Sequence, residues 1–173
     1  VGKLLGFEHA MKSGIGTCGI QVGDLQVAAI VAVNACGNVV DYETNELLAG
    51  VYDSHSGSVL KAQDVLFQQM DALRKLPEGN TTIGCIVTNA KLDKAQCTKI
   101  AGIAHNGYAR AIHPVHTMSD GDSIFVLSSG EVEVMADAVG MLATEMMAKA
   151  IKRAVLHAES AYGLPAHSDV ICK

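Results

Sequence analysis

The stretch Gly79-Asn80-Thr81-Thr82-Ile83 runs straight into the apolar segment Gly84-Cys85-Ile86-Val87. Gly-Asn is a turn signal, and a short apolar run behind it has the pattern of a buried strand. Two readings stand side by side. The plain one is a loop entering a strand, and on pattern alone it is the commoner. The other is chemical: a threonine at the head of a buried strand, after Gly-Asn, is a place where a chain can cut itself. A threonine left as a new N-terminus carries a hydroxyl nucleophile and an α-amine that serves as its base.

Upstream of this stretch the pattern is mostly that of strands. Residues 15–22 read as one strand, Gly23-Asp24 as a turn, and 26–33 as an almost unbroken apolar run, which predicts a strand covered on both faces. Gly37-Asn38 turns the chain into Val39-Val40-Asp41. Residues 42–57 are polar and small, with 53–58 a flexible loop. Residues 3–12 predict a short helix with Leu4, Leu5 and Met11 on its apolar side. Residues 59–73 carry a loose helical period ending near Pro77, and Glu78-Gly79-Asn80 continues it as a mobile linker.

Downstream, 82–88 reads as a buried strand. Asp93 caps a helix over 94–112, with Ala95, Ile100, Ile103, Ala104 and Ala111 as its apolar face. His113-Pro114 ends it. A strand over 123–127 and a long Ala- and Met-rich helix over 136–161 follow, stopped by Gly163 and Pro165. The order predicts a single layered α/β domain over 1–173.

Composition narrows the classes. Of 173 residues, 49% are hydrophobic and only 18% charged, with few aromatics and no Trp. That balance predicts apolar surface buried against further copies of the chain, a homo-oligomer, or against a missing partner segment. The net charge of -5, with no basic stripe, argues against nucleic acid. No apolar run reaches the length of a membrane span. Cys18, Cys36, Cys85, Cys97 and Cys172 are odd in number and lack CxxC spacing, which favours reduced thiols in a cytoplasmic protein. The opening Val1-Gly2-Lys3-Leu4-Leu5-Gly6 has no Met and no signal-peptide pattern, and is read as the start of a fragment or processed chain.

The densest polar cluster is residues 113–122, with His113, His116, Asp120 and Asp122. Two His and two Asp have metal-ligand chemistry, but HxxH in a loop after a proline does not bring both rings to one helical face. Asp120 and Asp122 flank Gly121 at a strand entrance, where a carboxylate can hold a threonine α-amine or orient its hydroxyl; the alternative is a plain turn. Asn34 follows the 26–33 strand, and its amide can donate to an oxyanion or merely end the strand. Lys3 has no pattern of its own, and an isolated lysine is usually solvated. Cys97 and His105 sit about 12 Å apart along one helix, too far to share a proton.

These segments together resemble the self-processing β-aminopeptidase family, which includes L-aminopeptidase/D-amidase enzymes and the nylon-oligomer endohydrolase. The resemblance is carried by 79–83, by Ile86-Val87-Thr88-Asn89, by His113-Pro114-Val115-His116-Thr117 and by Asp120-Gly121-Asp122. Upstream it includes residues 1–6 and Ala32-Val33-Asn34-Ala35-Cys36-Gly37. It implies an incomplete Ntn-hydrolase-like α/β/β/α sandwich, corresponding to the later half of a precursor. Residues 1–80 would be the end of the family's α-chain and 81–173 its β-chain. The implied scissile bond is Asn80–Thr81, with Thr81 the nucleophile, Asn34 the oxyanion donor, Asp120 and Asp122 the acidic pair, and Lys3 a lysine near the site. Substrates would be short peptides or amides, with no metal or organic cofactor. Two rival readings remain: a non-catalytic relative that assembles or binds a small ligand, and an amino-acid acyltransferase of the related fold.

Overall fold

The computed structural model describes residues 1–70 and 79–170. In chain order the strands and helices are β1 (Ile15–Val22), β2 (Leu25–Ala32), β3 (Asn38–Val40), β4 (Leu47–Ala49), β5 (Val51–Asp53), β6 (Ser58–Leu60) and α1 (Ala62–Gln68). Then come β7 (Ile83–Ala90), α2 (Lys94–Ala111), β8 (Ile112–His113), β9 (Ser123–Val132), α3 (Ala136–Leu156) and α4 (His167–Val170). The main sheet has the order β1-β2-β7-β9. Its first two pairings are antiparallel and β7 runs parallel to β9.

One face of this sheet lies under α3 and α2, which also pack on each other. β2 alternates cleanly: Leu25, Val27, Ala29 and Val31 are buried, while Gln26, Ala28, Ile30 and Ala32 are exposed. The buried set meets Ala143, Met147, Ala150 and Ile151 of α3 in one core cluster with Ile100, Ala104 and Tyr108 of α2. Small residues let helix and sheet approach closely. A Cβ added to Gly16 would lie 1.9 Å from the Ala150 carbonyl oxygen of α3. Because that neighbour is backbone, the helix itself must move. Gly16→Ala is therefore expected to destabilise the protein by about 2–3 kcal/mol, read as a lowered midpoint in denaturant unfolding.

The opposite face is open among the described residues. Ile15, Ile30, Ile83, Val87, Phe125 and Leu127 are exposed there, joined by the pairings Ala32↔Ile83, Ala28↔Val87 and Val87↔Leu127. The expected two-sided burial of 26–33 is thus half met. Its alternation was hidden because Ala28, Ile30 and Ala32 are apolar on the open side too.

Other expectations change in detail. Residues 3–12 form no α-helix; only Phe7–His9 makes a 3₁₀ turn. The backbone donors ahead of it are used elsewhere, Gly2 N on Gly37 O and Lys3 N on Cys36 O, both at 3.0 Å. Residues 42–57, read as loop, hold β4 and β5, and 53–58 is the hairpin turn to β6. That turn is fixed by Asp53, which accepts from His55 N at 3.0 Å and Ser56 Oγ at 2.6 Å. The last long helix ends at Leu156 rather than 161. Asp93 caps α2 in a reciprocal capping box with Gln96. Ala95, assigned to the apolar face, is exposed. The helix end near Pro77, the linker residue Glu78 and Cys172 lie outside the described residues.

Candidate active site

The sheet topology brings the separated sequence segments to one edge. β2 ends where β7 begins, because the two are antiparallel and Ala32 faces Ile83. β9 begins beside β7, with Ser123 opposite Ile83. Residues 33–34, 79–82 and 120–122 therefore meet. Residues 2–3 join them by pairing with 36–37.

Asn80 forms a parallel bridge with Asp120, so the proposed cleavage segment continues the pairing of β7 with β9. Thr81 is half-buried, and its hydroxyl packs on Gly121, where an added Cβ would come within 2.6 Å of Thr81 Oγ1. A side chain at 121 would have to displace that hydroxyl from this rotamer.

On one side of this segment stand Lys3 and Asn34. Lys3 Nζ donates to Asn34 Oδ1 at 2.9 Å, to Asn34 O at 3.1 Å and to Gly79 O at 3.3 Å. Since an ammonium only donates, the Asn34 amide must turn its oxygen to Lys3 and its Nδ2 toward Gly79. Nδ2 indeed donates to Gly79 O at 2.8 Å. Lys3 is 2% exposed, against the expectation of a solvated side chain. Burial lowers its pKa below the usual lysine value, while Cys36 in its thiolate form and the Asp120 carboxylate oppose the shift. The Cys36 thiol is pushed up, first by its own burial and then by Asp120.

On the other side stands Asp122, with a side chain 5% exposed. Its Oδ1 accepts from Thr82 N at 3.0 Å and its Oδ2 pairs with His116 Nδ1 at 2.9 Å. Asp120 instead accepts from Thr117 N at 2.7 Å, closing its own turn. All five sequence candidates thus share one neighbourhood. Asn34 Nδ2 reaches the carbonyl of Gly79, and Asp122 Oδ1 holds the amide of Thr82.

Two neighbours were missed. Tyr108 is fully buried, and its hydroxyl lies 3.3 Å from Thr82 O and 3.2 Å from Ser123 O, with its one hydrogen shared between them. It lies four residues after Ala104 on the same helical face, which was the available signal. His116 is the other. A cavity of about 240 Å³ opens beside Lys3 and Asn34, with Phe7, Met11, Ser13 and Leu164 among its lining. Among the described residues, no group of three or more His, Cys, Asp or Glu is arranged to hold a metal ion.

The model of peptidase family S58 matches residues 6–168. The chain belongs to this family. It is 37% identical over 186 residues to an uncharacterized aminopeptidase of Mycobacterium tuberculosis (strain ATCC 25618 / H37Rv), with 93% of this chain and 53% of the relative aligned. It is 30% identical over 165 residues to the 6-aminohexanoate-oligomer endohydrolase of Paenarthrobacter ureafaciens, covering 86% of this chain and 46% of that protein. The chain spans about half the length of the curated relatives it matches. Among solved structures it is similar to the L-aminopeptidase D-Ala-esterase/amidase of Ochrobactrum anthropi, described as a variant of the Ntn hydrolase fold. The TM-score is 0.61 at 18% identity, over 95% of this chain and 48% of that one. The fold is therefore Ntn-hydrolase-like; the described residues of this S58 chain supply one helical layer and one main sheet of it.

Proposed function

We propose that this S58 chain is part of a self-cleaving hydrolase that acts on short peptides or amides through a threonine acyl-enzyme. The observation that carries the reading is the convergence of Lys3 Nζ and Asn34 Nδ2 on the Gly79 carbonyl, one residue ahead of the Asn80–Thr81 bond. With the Asn80–Asp120 bridge before the bond and the Asp122 contact to Thr82 N after it, these contacts hold the strand on both sides of that bond. Such fixing of a reacting segment is what an intramolecular attack needs.

In the first step the Thr81 hydroxyl oxygen attacks the Asn80 carbonyl carbon. The Asn80–Thr81 C–N bond breaks as the ester forms, and the hydroxyl proton passes to the departing amine. Water then opens the ester, leaving an Asn80 carboxylate and a Thr81 with a free amine and hydroxyl. In the mature site that amine is the general base. Asp120 and Asp122 flank Gly121, on which the Thr81 hydroxyl packs, and supply negative charge beside the new ammonium. The Asn34 amide N–H and the Lys3 ammonium are the donors available to a developing oxyanion.

The names of the relatives, an aminopeptidase and an oligomer endohydrolase, support an amide substrate. The small cavity beside Lys3 and Asn34 gives its acyl side a place to sit. The test is to mix the protein with a short amide bearing a free amine, quench in acid and weigh the fragments. An acyl adduct on the fragment beginning at Thr81, with free acid as product, is expected. Product appearing mainly on an added amino-acid acceptor would favour the acyltransferase reading instead.

A further inference from the structure

We infer that His116 is a positioning residue for Thr81, acting through Asp122 and the amide of Thr82. The inference rests on the proposed role of Thr81 and adds to it a side chain outside the nucleophile, the oxyanion donors and the acidic pair.

Asp122 is held from two directions, by Thr82 N on Oδ1 and His116 Nδ1 on Oδ2. An ionised carboxylate only accepts, so the His116 Nδ1 must carry the hydrogen. With both oxygens engaged, the carboxylate cannot rotate about its terminal torsion, which is otherwise soft. Its Oδ1 then fixes the peptide plane between Thr81 and Thr82. The Thr82 carbonyl is fixed in turn by Ser123 N at 3.0 Å and by Tyr108 Oη at 3.3 Å. A peptide plane pinned ahead of Thr82, and its carbonyl pinned behind it, set the direction in which the Thr81 side chain leaves the backbone.

The His116 ring is itself placed by contacts. It stacks on Tyr108 with centroids 5.9 Å apart and meets His105 edge-on at 4.9 Å. Its backbone has φ 56, in the left-handed region that costs a non-glycine residue stability. Such a conformation persists where its surroundings over-determine it, and such residues cluster at functional sites. His113, the other imidazole of the HxxH pattern, is exposed on β8 and takes no part.

The positive φ supplies a clean test. His116→Gly deletes the ring while relieving the backbone, so misfolding of the segment is not an expected complication. His116→Asn tolerates the same φ and returns an N–H donor near the lost Nδ1. Self-cleavage is timed on gels, with thermal midpoints measured alongside. His116→Gly is expected to cleave about tenfold more slowly, the order set by losing a hydrogen bond to a charged group. His116→Asn should recover most of that loss. In the background of Asp122→Asn, His116→Gly should add no further slowing.

Wild-type rates in His116→Gly would overturn the inference while leaving the role of Thr81 standing. Equal slowing in His116→Gly and His116→Asn, with lowered midpoints in both, would also overturn it, as would additive slowing with Asp122→Asn. A wild-type protein that never releases a chain beginning at Thr81 would overturn both readings together.

Discussion

Thr81→Ala is expected to leave the chain uncut and without amide hydrolase activity. The substitution removes one oxygen and one methyl from a half-buried side chain that precedes β7 by two residues. The contacts that organise the surroundings belong to neighbours: Asp122 holds Thr82 N, and Lys3 and Asn34 hold Gly79 O. The thermal midpoint should therefore move little, while turnover falls by on the order of 10⁶, as when other enzymes lose their nucleophile. Thr81→Ser keeps the hydroxyl and should still cleave. A cut and active Thr81→Ala protein would remove the proposed chemistry altogether.

Asn34→Ala should slow self-cleavage by about 10²–10³, the usual cost of an oxyanion-hole donor. The side chain does two things at once: Oδ1 accepts from Lys3 and Nδ2 donates to Gly79 O. Asn34→Asp separates them. Its carboxylate can still pair with the Lys3 ammonium, but it sets an oxygen against the Gly79 carbonyl where the amide donated. Asn34→Asp should therefore be as slow as Asn34→Ala while keeping more stability, since the buried ammonium retains its partner. Timed gels and thermal midpoints on the two variants check this. An Asn34→Asp protein cleaving at the wild-type rate would show that only the lysine anchor matters.

Much of the main sheet was readable because its signals are local. The turn at Gly23-Asp24, the apolar runs on either side of it and the Asp93 cap each act within a few residues. The positions of Asn34, Thr81, Asp120 and Asp122 followed from those strands and from the family resemblance. What escaped depended on distant partners. Lys3 reads as a surface cation until its contacts with Asn34 and Gly79, 31 and 76 residues away, remove it from water. β4 and β5 are three residues each and have no visible period. His116 sits in a loop, where spacing carries no direction, so only the folded chain shows its ring against Asp122. The open sheet face escaped for the opposite reason: apolar residues on both sides of β2 concealed its alternation.

The most direct measurement is the intact mass and N-terminal sequence of the purified protein. Self-cleavage predicts two polypeptides, one ending at Asn80 and one beginning at Thr81, whose masses sum to the uncut chain plus one water. A single polypeptide that keeps the Asn80–Thr81 bond after prolonged incubation, in a preparation that hydrolyses amides, would contradict it.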